Sequence, residues 1–288
     1  MIQNIKCCSR IAIQNVKAWA QNYRMIMLLL LLYTSVSQFC SELNDFSASI
    51  GEKTNILDVL PNMYSCGGSD YFHIIIQLGI VLMFSNAPFK NGNSLYCVMR
   101  TGYTRWCVGQ LIYIIEASFI YTASLFVLTN LCCIKTFGYS LKWGKAFMTI
   151  RMSNNFRYPL SSKLQIQYTP LEALLHTLLL IFMLSVLFGL IIFFMASVYG
   201  RSSGVFVTVA LVLLALVPNF NQYPALISKL SPCSLTQLNV VDKLGISSYP
   251  SLAYAYTVLG VLIIALFAGT IFVYSNKKTR HKIYAAEV

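Results

Sequence analysis

The sequence predicts an all-α polytopic membrane protein, with six transmembrane helices preceded by an N-terminal amphipathic interfacial helix. Three observations carry that prediction. Hydrophobic residues make up 57% of the 288 positions and charged residues only 10%, where soluble domains carry about 25% charge, so too few charges remain to coat a water-facing surface. Mean hydropathy is +0.65. Six apolar windows also approach the roughly 20 residues that an α-helix needs to cross a bilayer, each free of Lys, Arg and Asp. The same arithmetic excludes a disordered chain, a collagen and a coiled coil.

Residues 1–24 predict the interfacial helix. At 100° per residue, Ile5, Cys8, Ala12, Val16, Trp19 and Tyr23 share one face, while Lys6, Arg10, Lys17 and Arg24 cluster on its flank. A helix of this kind lies on the inner leaflet with its bases towards lipid phosphates. It serves either as a topology anchor or as a lever joining the first span to a cytoplasmic partner. A cleaved secretory signal is disfavoured, because four basic side chains precede the apolar run and no small-x-small site follows Phe39.

The spans fall at about 25–40, 71–89, 108–134, 171–199, 205–220 and 252–274, within one transmembrane domain of residues 25–274. The second contains His73 and Gln77, and Glu116 interrupts the third. The fourth opens after Pro170 and is the most apolar; the fifth ends at Pro218-Asn219. A cytoplasmic tail, 275–288, follows the sixth. An even number of spans puts both termini on one side. Assigning that side to the cytoplasm places twelve of the 21 basic residues inside, among them Lys90, Arg100, Arg105, Arg201 and Lys277. Six of the other nine lie between Lys135 and Lys163, against the positive-inside trend. That segment also holds Trp143, Phe147, Ile150 and Phe156, which suits a helix lying in the outer interface. Five acids, Glu42, Asp45, Glu52, Asp58 and Asp70, fall in the loop after the first span.

The net charge of +12 would suggest a nucleic-acid partner in a soluble protein; here it marks loops facing anionic lipid, and no nucleic acid is expected. The nine cysteines have neither the density nor the spacing of a zinc site or disulfide framework. Cys40, Cys66, Cys132, Cys133 and Cys233 fall on or near the outer side. One disulfide among them, such as Cys40 with Cys66, and free thiols both remain open. Glu172 and His176 share a helix face at i and i+4, but no third metal ligand accompanies them, and an acid beside a helix N-terminus explains Glu172. Glu116 is the one acid deep inside a span. Ionised burial there costs roughly 2.5–3.5 kcal/mol on insertion scales, so it should face the bundle, a partner or water.

Between the second and third spans, Pro88 and Asn91-Gly92 punctuate a turn, followed by Met99-Arg100-Thr101-Gly102-Tyr103-Thr104-Arg105-Trp106 and then Gly109-Gln110 entering the third span. On physical grounds this is a basic juxtamembrane stretch with an interfacial Trp. In this order and place it also resembles the membrane subunit of type-2 ATP-binding-cassette exporters, whose second and third spans are joined by a cytoplasmic coupling helix. The likeness takes in the interfacial helix, the six spans, Trp143-Gly144-Lys145 with Thr149, and Tyr168-Thr169-Pro170-Leu171-Glu172-Ala173. It implies a coupling segment at 90–107, with Arg100, Thr101, Gly102, Tyr103, Arg105 and Trp106 docking on a separate ATPase subunit, and a homodimer or heterodimer with a similar permease. The expected setting is a bacterial cell membrane with both termini cytoplasmic.

This chain is not expected to hydrolyse ATP itself. The nearest approach to a phosphate-binding G-x-x-x-x-G-K-[ST] loop is Gly138 to Gly144-Lys145-Ala146, which has one residue too many and lacks the hydroxyl that would hold magnesium. ATP and Mg are therefore expected in the partner, with no cofactor or metal and no catalytic residue in this chain. Two other classes stand beside this one: an energy-independent binding or immunity protein for a peptide or lipid, and an ion-coupled secondary transporter, although the broken midplane helices of many such folds are not evident in the sequence.

Overall fold

The computed structural model describes residues 2–66, 72–89, 94–152, 156–158, 160–200, 202–216, 224–245 and 247–275. Lys90, Arg201 and the tail beyond Ser275 lie outside these residues, as does the side chain of Lys6.

The apolar windows fold as helices, the only arrangement that pairs every backbone group within a single apolar segment. Four are long and apolar enough to cross a membrane: α2 (Tyr23–Ile50), α6 (Tyr103–Cys132), α9 (Pro170–Val198) and α12 (Leu252–Ser275). By length and composition these are compatible with a multi-pass α-helical membrane protein. Two apolar helices are shorter, α4 (Phe72–Phe84) with 13 residues and α10 (Ser203–Leu214) with 12. At about 1.5 Å per residue they reach roughly 20 Å, less than the ~30 Å of a hydrocarbon core. Of the six expected spans, the described residues thus give four full-length helices and two shorter than a span. In the other direction, α2 runs ten residues beyond the predicted end of the first span. Glu42 and Asp45 therefore ride on a helix rather than in a loop, and the helix stops where Gly51 turns left-handed at φ 68°.

Helix α9 sits at the centre and touches α3 (Ile56–Tyr64), α4, α6, α10 and α12. Its start is set locally: Pro170 supplies a helix-ready φ, and Thr169 and Glu172 form a reciprocal capping box. Side-chain contacts fix the directions. Helix α2 runs alongside α6 in the same sense, with Cys40 Sγ on the Thr129 carbonyl at 3.8 Å and Asn44 Nδ2 on that of Cys132 at 3.0 Å. Helix α9 runs against α6, with Ser185 Oγ donating to Ser118 Oγ at 2.9 Å. Helix α12 follows α9, from His176 Nδ1 and Tyr256 OH at 2.8 Å to Ser197 Oγ and Tyr274 OH at 2.6 Å. The start of α2, the end of α4, the start of α6 and the end of α12 consequently gather at one end of the bundle, termed here the proximal end.

The basic segment meets the acidic one at the distal end. Lys145, opening α7 (Lys145–Met152), pairs with Glu52 at 2.9 Å, and Arg157 pairs with Glu42 at 3.4 Å. Surface pairs of this kind contribute at most about 1 kcal/mol each, but they show where the charges against the positive-inside trend find partners. A two-residue parallel ladder joins Thr54-Asn55 to Phe137-Gly138. The aromatic residues of this segment are not laid out in an interface. Phe147 and Ile150 are buried, Phe156 packs on Phe39 and Phe46, and Trp143 Nε1 donates to the Tyr168 carbonyl at 3.0 Å.

A buried carboxyl locks this distal assembly. Asp58, in the first turn of α3, accepts the Gly144 N–H at 2.6 Å on one oxygen and Asn55 Nδ2 at 2.9 Å on the other. Asn55 Nδ2 also reaches the Ser140 carbonyl at 2.8 Å. Burial pushes the Asp58 carboxyl up from its usual 3.8 to about 7, against the pull of the two hydrogen bonds. The folded state thus keeps a proton that the unfolded chain releases near pH 4, so this group's contribution to stability falls as pH rises from about 4 to 7 and levels off above. Thermal melting of wild type and D58N across that range should show wild type losing stability relative to the variant as pH rises. Parallel curves would remove Asp58 as the titrating group.

Candidate coupling site at the α5–α6 corner

The proximal end carries the residues singled out between the second and third spans. Helix α5 (Ser94–Thr101) and helix α6 meet at Gly102. Its φ of 82° and ψ of 155° belong to a region that side chains other than glycine rarely enter, so a corner forms where a continuous helix would otherwise run. The Gly102 N–H donates to the Val98 carbonyl at 2.8 Å, and the Gly102 carbonyl accepts the Trp106 N–H at 3.1 Å. Both helix ends are thereby closed by the corner itself.

The corner has two faces. Met99 is 77% exposed, and Arg100 and Arg105 are exposed beside it. Val98 and Trp106 are buried, while Thr101 and Tyr103 are partly so. Trp106 was expected at an interface; at 4% exposure it is instead a core residue. Its ring centroid lies 6.1 Å from Phe193 on α9 and 5.8 Å from Tyr274 on α12. Phe193 stacks on Tyr274 at 5.6 Å and on Phe89 at 6.1 Å, and Phe89 meets Tyr113 at 4.8 Å. Tyr113 in turn accepts a hydrogen bond from Trp19 Nε1 at 2.8 Å. A continuous aromatic chain therefore joins the corner to α6, α9, α12 and the turn that follows the N-terminal helix.

That helix, α1 (Ile2–Lys17), does not rest on lipid with its apolar face. It packs along α6, with Cys8, Ile11, Ala12 and Asn15 buried. Cys8 Sγ reaches the Arg105 carbonyl at 3.4 Å, and Asn15 Nδ2 donates to Gln110 Oε1 at 2.7 Å. The close approach depends on Gly109, where a β-carbon would lie 2.9 Å from Ile11 Cβ and 3.1 Å from the Cys8 carbonyl. Of the predicted lipid-facing bases, Arg10 and Lys17 are exposed. Arg24 is not: it belongs to α2, and its Nη1 donates to Ser85 Oγ at 2.8 Å. The apolar stripe ends at Trp19, because a 3-10 turn (Ala18–Gln21) and Asn22 break the helix before Tyr23.

Glu116 does not take a bundle-interior position. It is partly exposed on α6, lining an open groove with Ile13, Val16 and Lys17 of α1. One polar cluster had no sequence signal beyond Gln77 itself: Tyr64 OH and Thr236 Oγ1 lie 2.7 Å apart, and Gln77 Nε2 reaches Tyr64 OH at 3.2 Å and the Cys233 carbonyl at 3.3 Å. It joins α3 and α4 to the turn that follows α11 (Pro224–Leu230). Cys40 and Cys233 are free thiols, and Cys66 is buried.

Comparison with protein-family models, with curated proteins and with solved structures finds no match to this chain.

Proposed function

We propose that this chain is the permease subunit of an ATP-driven exporter, forming the substrate path and coupling to a separate ATPase subunit. The observation that supports this most is the two-faced corner. Exposed Met99, Arg100 and Arg105 suit a docking surface, and the same short element seats Trp106 against two other long helices. A push on the corner has a packed route into the bundle, and close-packed aromatic contacts transmit displacement because the interior leaves little room to yield. Coupling then needs only that the partner bind the corner differently in its two nucleotide states. The working protein would sit in a bacterial cell membrane with its proximal end cytoplasmic, as one half of a dimer with itself or a similar chain.

The reading is tested by extracting the tagged full-length chain in mild detergent and assaying the eluate for ATP hydrolysis. A stoichiometric second chain with a phosphate-binding loop is the expected result. Recovery of this chain alone in several detergents would contradict it.

One observation favours a second reading, the ion-coupled secondary transporter. Over the described residues helices α4 and α10 are both too short to cross a hydrocarbon core by themselves, as discontinuous helices are in such carriers. ATP dependence separates the two.

A further inference from the structure

We propose that Cys40 on α2 and Cys133 at the end of α6 are a disulfide-forming pair, oxidised in the working protein to a staple between the distal ends of the two helices. The contacts around the pair set its register. Cys40 Sγ lies 3.8 Å from the Thr129 carbonyl, one helical turn before Cys133, and Asn44, one turn after Cys40, reaches the Cys132 carbonyl at 3.0 Å. Asn44 Oδ1 also accepts the Thr136 hydroxyl at 2.7 Å, so the same register continues past Cys133. Residues four apart share a helix face, and the face of α6 that offers Thr129 to α2 offers Cys133 as well. There the two side chains interact directly, and both are buried.

Both are thiols in the structure. A thiol is a weak hydrogen-bond donor and a weak acceptor, so two buried thiols gain little from facing each other, whereas an S–S bond fixes the same contact covalently. The inference rests on the reading that the proximal end is cytoplasmic, because the distal end then faces the side of the membrane on which disulfides form and persist. The oxidant is the disulfide of an extracytoplasmic dithiol protein. Each cysteine gives up one proton and one electron, the bond between Cys40 and Cys133 forms, and the oxidant's own S–S bond breaks to leave two thiols. Because the finished pair is buried, the exchange takes place before α2 and α6 have packed. The closed loop runs from residue 40 to residue 133, a length over which a crosslink removes much of the freedom of the unfolded chain. Cys132, the half-buried neighbour, stays reduced.

The test uses the full chain, expressed in its native host and isolated without reductant. Thiols are trapped with acid, alkylated in denaturant, and mapped by mass spectrometry of the digest. A peptide linked through Cys40 and Cys133 is the expected result, lost on treatment with dithiothreitol, with Cys132 recovered alkylated. Reduction should lower the melting temperature of wild type by several degrees and leave that of C40S/C133S unchanged. Orientation is measured separately, by labelling K142C, at an exposed distal position, in intact cells with a membrane-impermeant maleimide. Labelled K142C with Cys40 and Cys133 both alkylated would overturn the pairing and leave the orientation standing. Unlabelled K142C with both alkylated would overturn the orientation and the pairing with it. A link from Cys40 to Cys66 or Cys132 in place of Cys133 would also overturn the proposal.

Discussion

The W106A variant is expected to keep its hold on an ATPase partner while losing the connection between that partner and the membrane helices. Trp106 faces away from the exposed arginines and lies between Phe193 and Tyr274. Removing a buried indole leaves a void that the surrounding helices close only in part, at a cost of about 3–5 kcal/mol. A lower melting temperature should accompany partner co-purification close to wild type, together with ATP hydrolysis no longer matched to transport. W106F, which refills most of the space with an aromatic ring, should restore much of both. Wild-type melting of W106A would mean that the aromatic bed does not hold the corner, and the transmission route through α9 and α12 would fall with it.

The charge-reversed R100E/R105E variant should show the opposite pattern. Both side chains are exposed, and surface substitutions usually change stability by less than about 0.5 kcal/mol, so insertion and melting should be unaltered. Partner recovery should drop at least about tenfold, because like charges placed across an interface cost several kcal/mol. The wild-type complex should also weaken as ionic strength rises, and the variant's residual association should be less sensitive to salt. Undiminished recovery of the ATPase with R100E/R105E would remove the arginines from docking. Taken as a pair, the two variants separate holding a partner from responding to it.

Much of this architecture was legible because it rests on composition and period. Helix α9 could be read from its long apolar run after Pro170, in which Glu172 and His176 are the ionisable exceptions, and Glu172 does sit at the helix N-terminus as the sequence places it. The stripe along α1 was legible too, but not what it covers: Gly109 permits α1 to lie on α6, and a glycine inside an apolar run does not announce which helix will approach it. Trp106 was misread for a related reason. Interfacial and buried tryptophans look alike in a basic-aromatic stretch, and only the long-range neighbours Phe193 and Tyr274 distinguish them. The charge pattern at 135–163 looked anomalous when loops were counted one by one. The pairs Lys145 with Glu52 and Arg157 with Glu42 join segments about a hundred residues apart, beyond the reach of any local rule. Asp58 carried a signal that composition hides, an acid set within Ile-Leu-Asp-Val-Leu, where a carboxyl can be tolerated only with built-in donors such as Asn55 and the Gly144 N–H.

The central claim, that the α5–α6 corner is the docking surface for a separate ATPase, is tested most directly by site-specific photo-crosslinking in native membranes. A photoreactive amino acid at Met99, 77% exposed on the corner, is compared with one at Ile166, 69% exposed at the distal end. The account predicts capture of an ATP-hydrolysing chain from position 99 and not from position 166. Capture from position 166, or from neither position while the membrane remains competent for export, would contradict it.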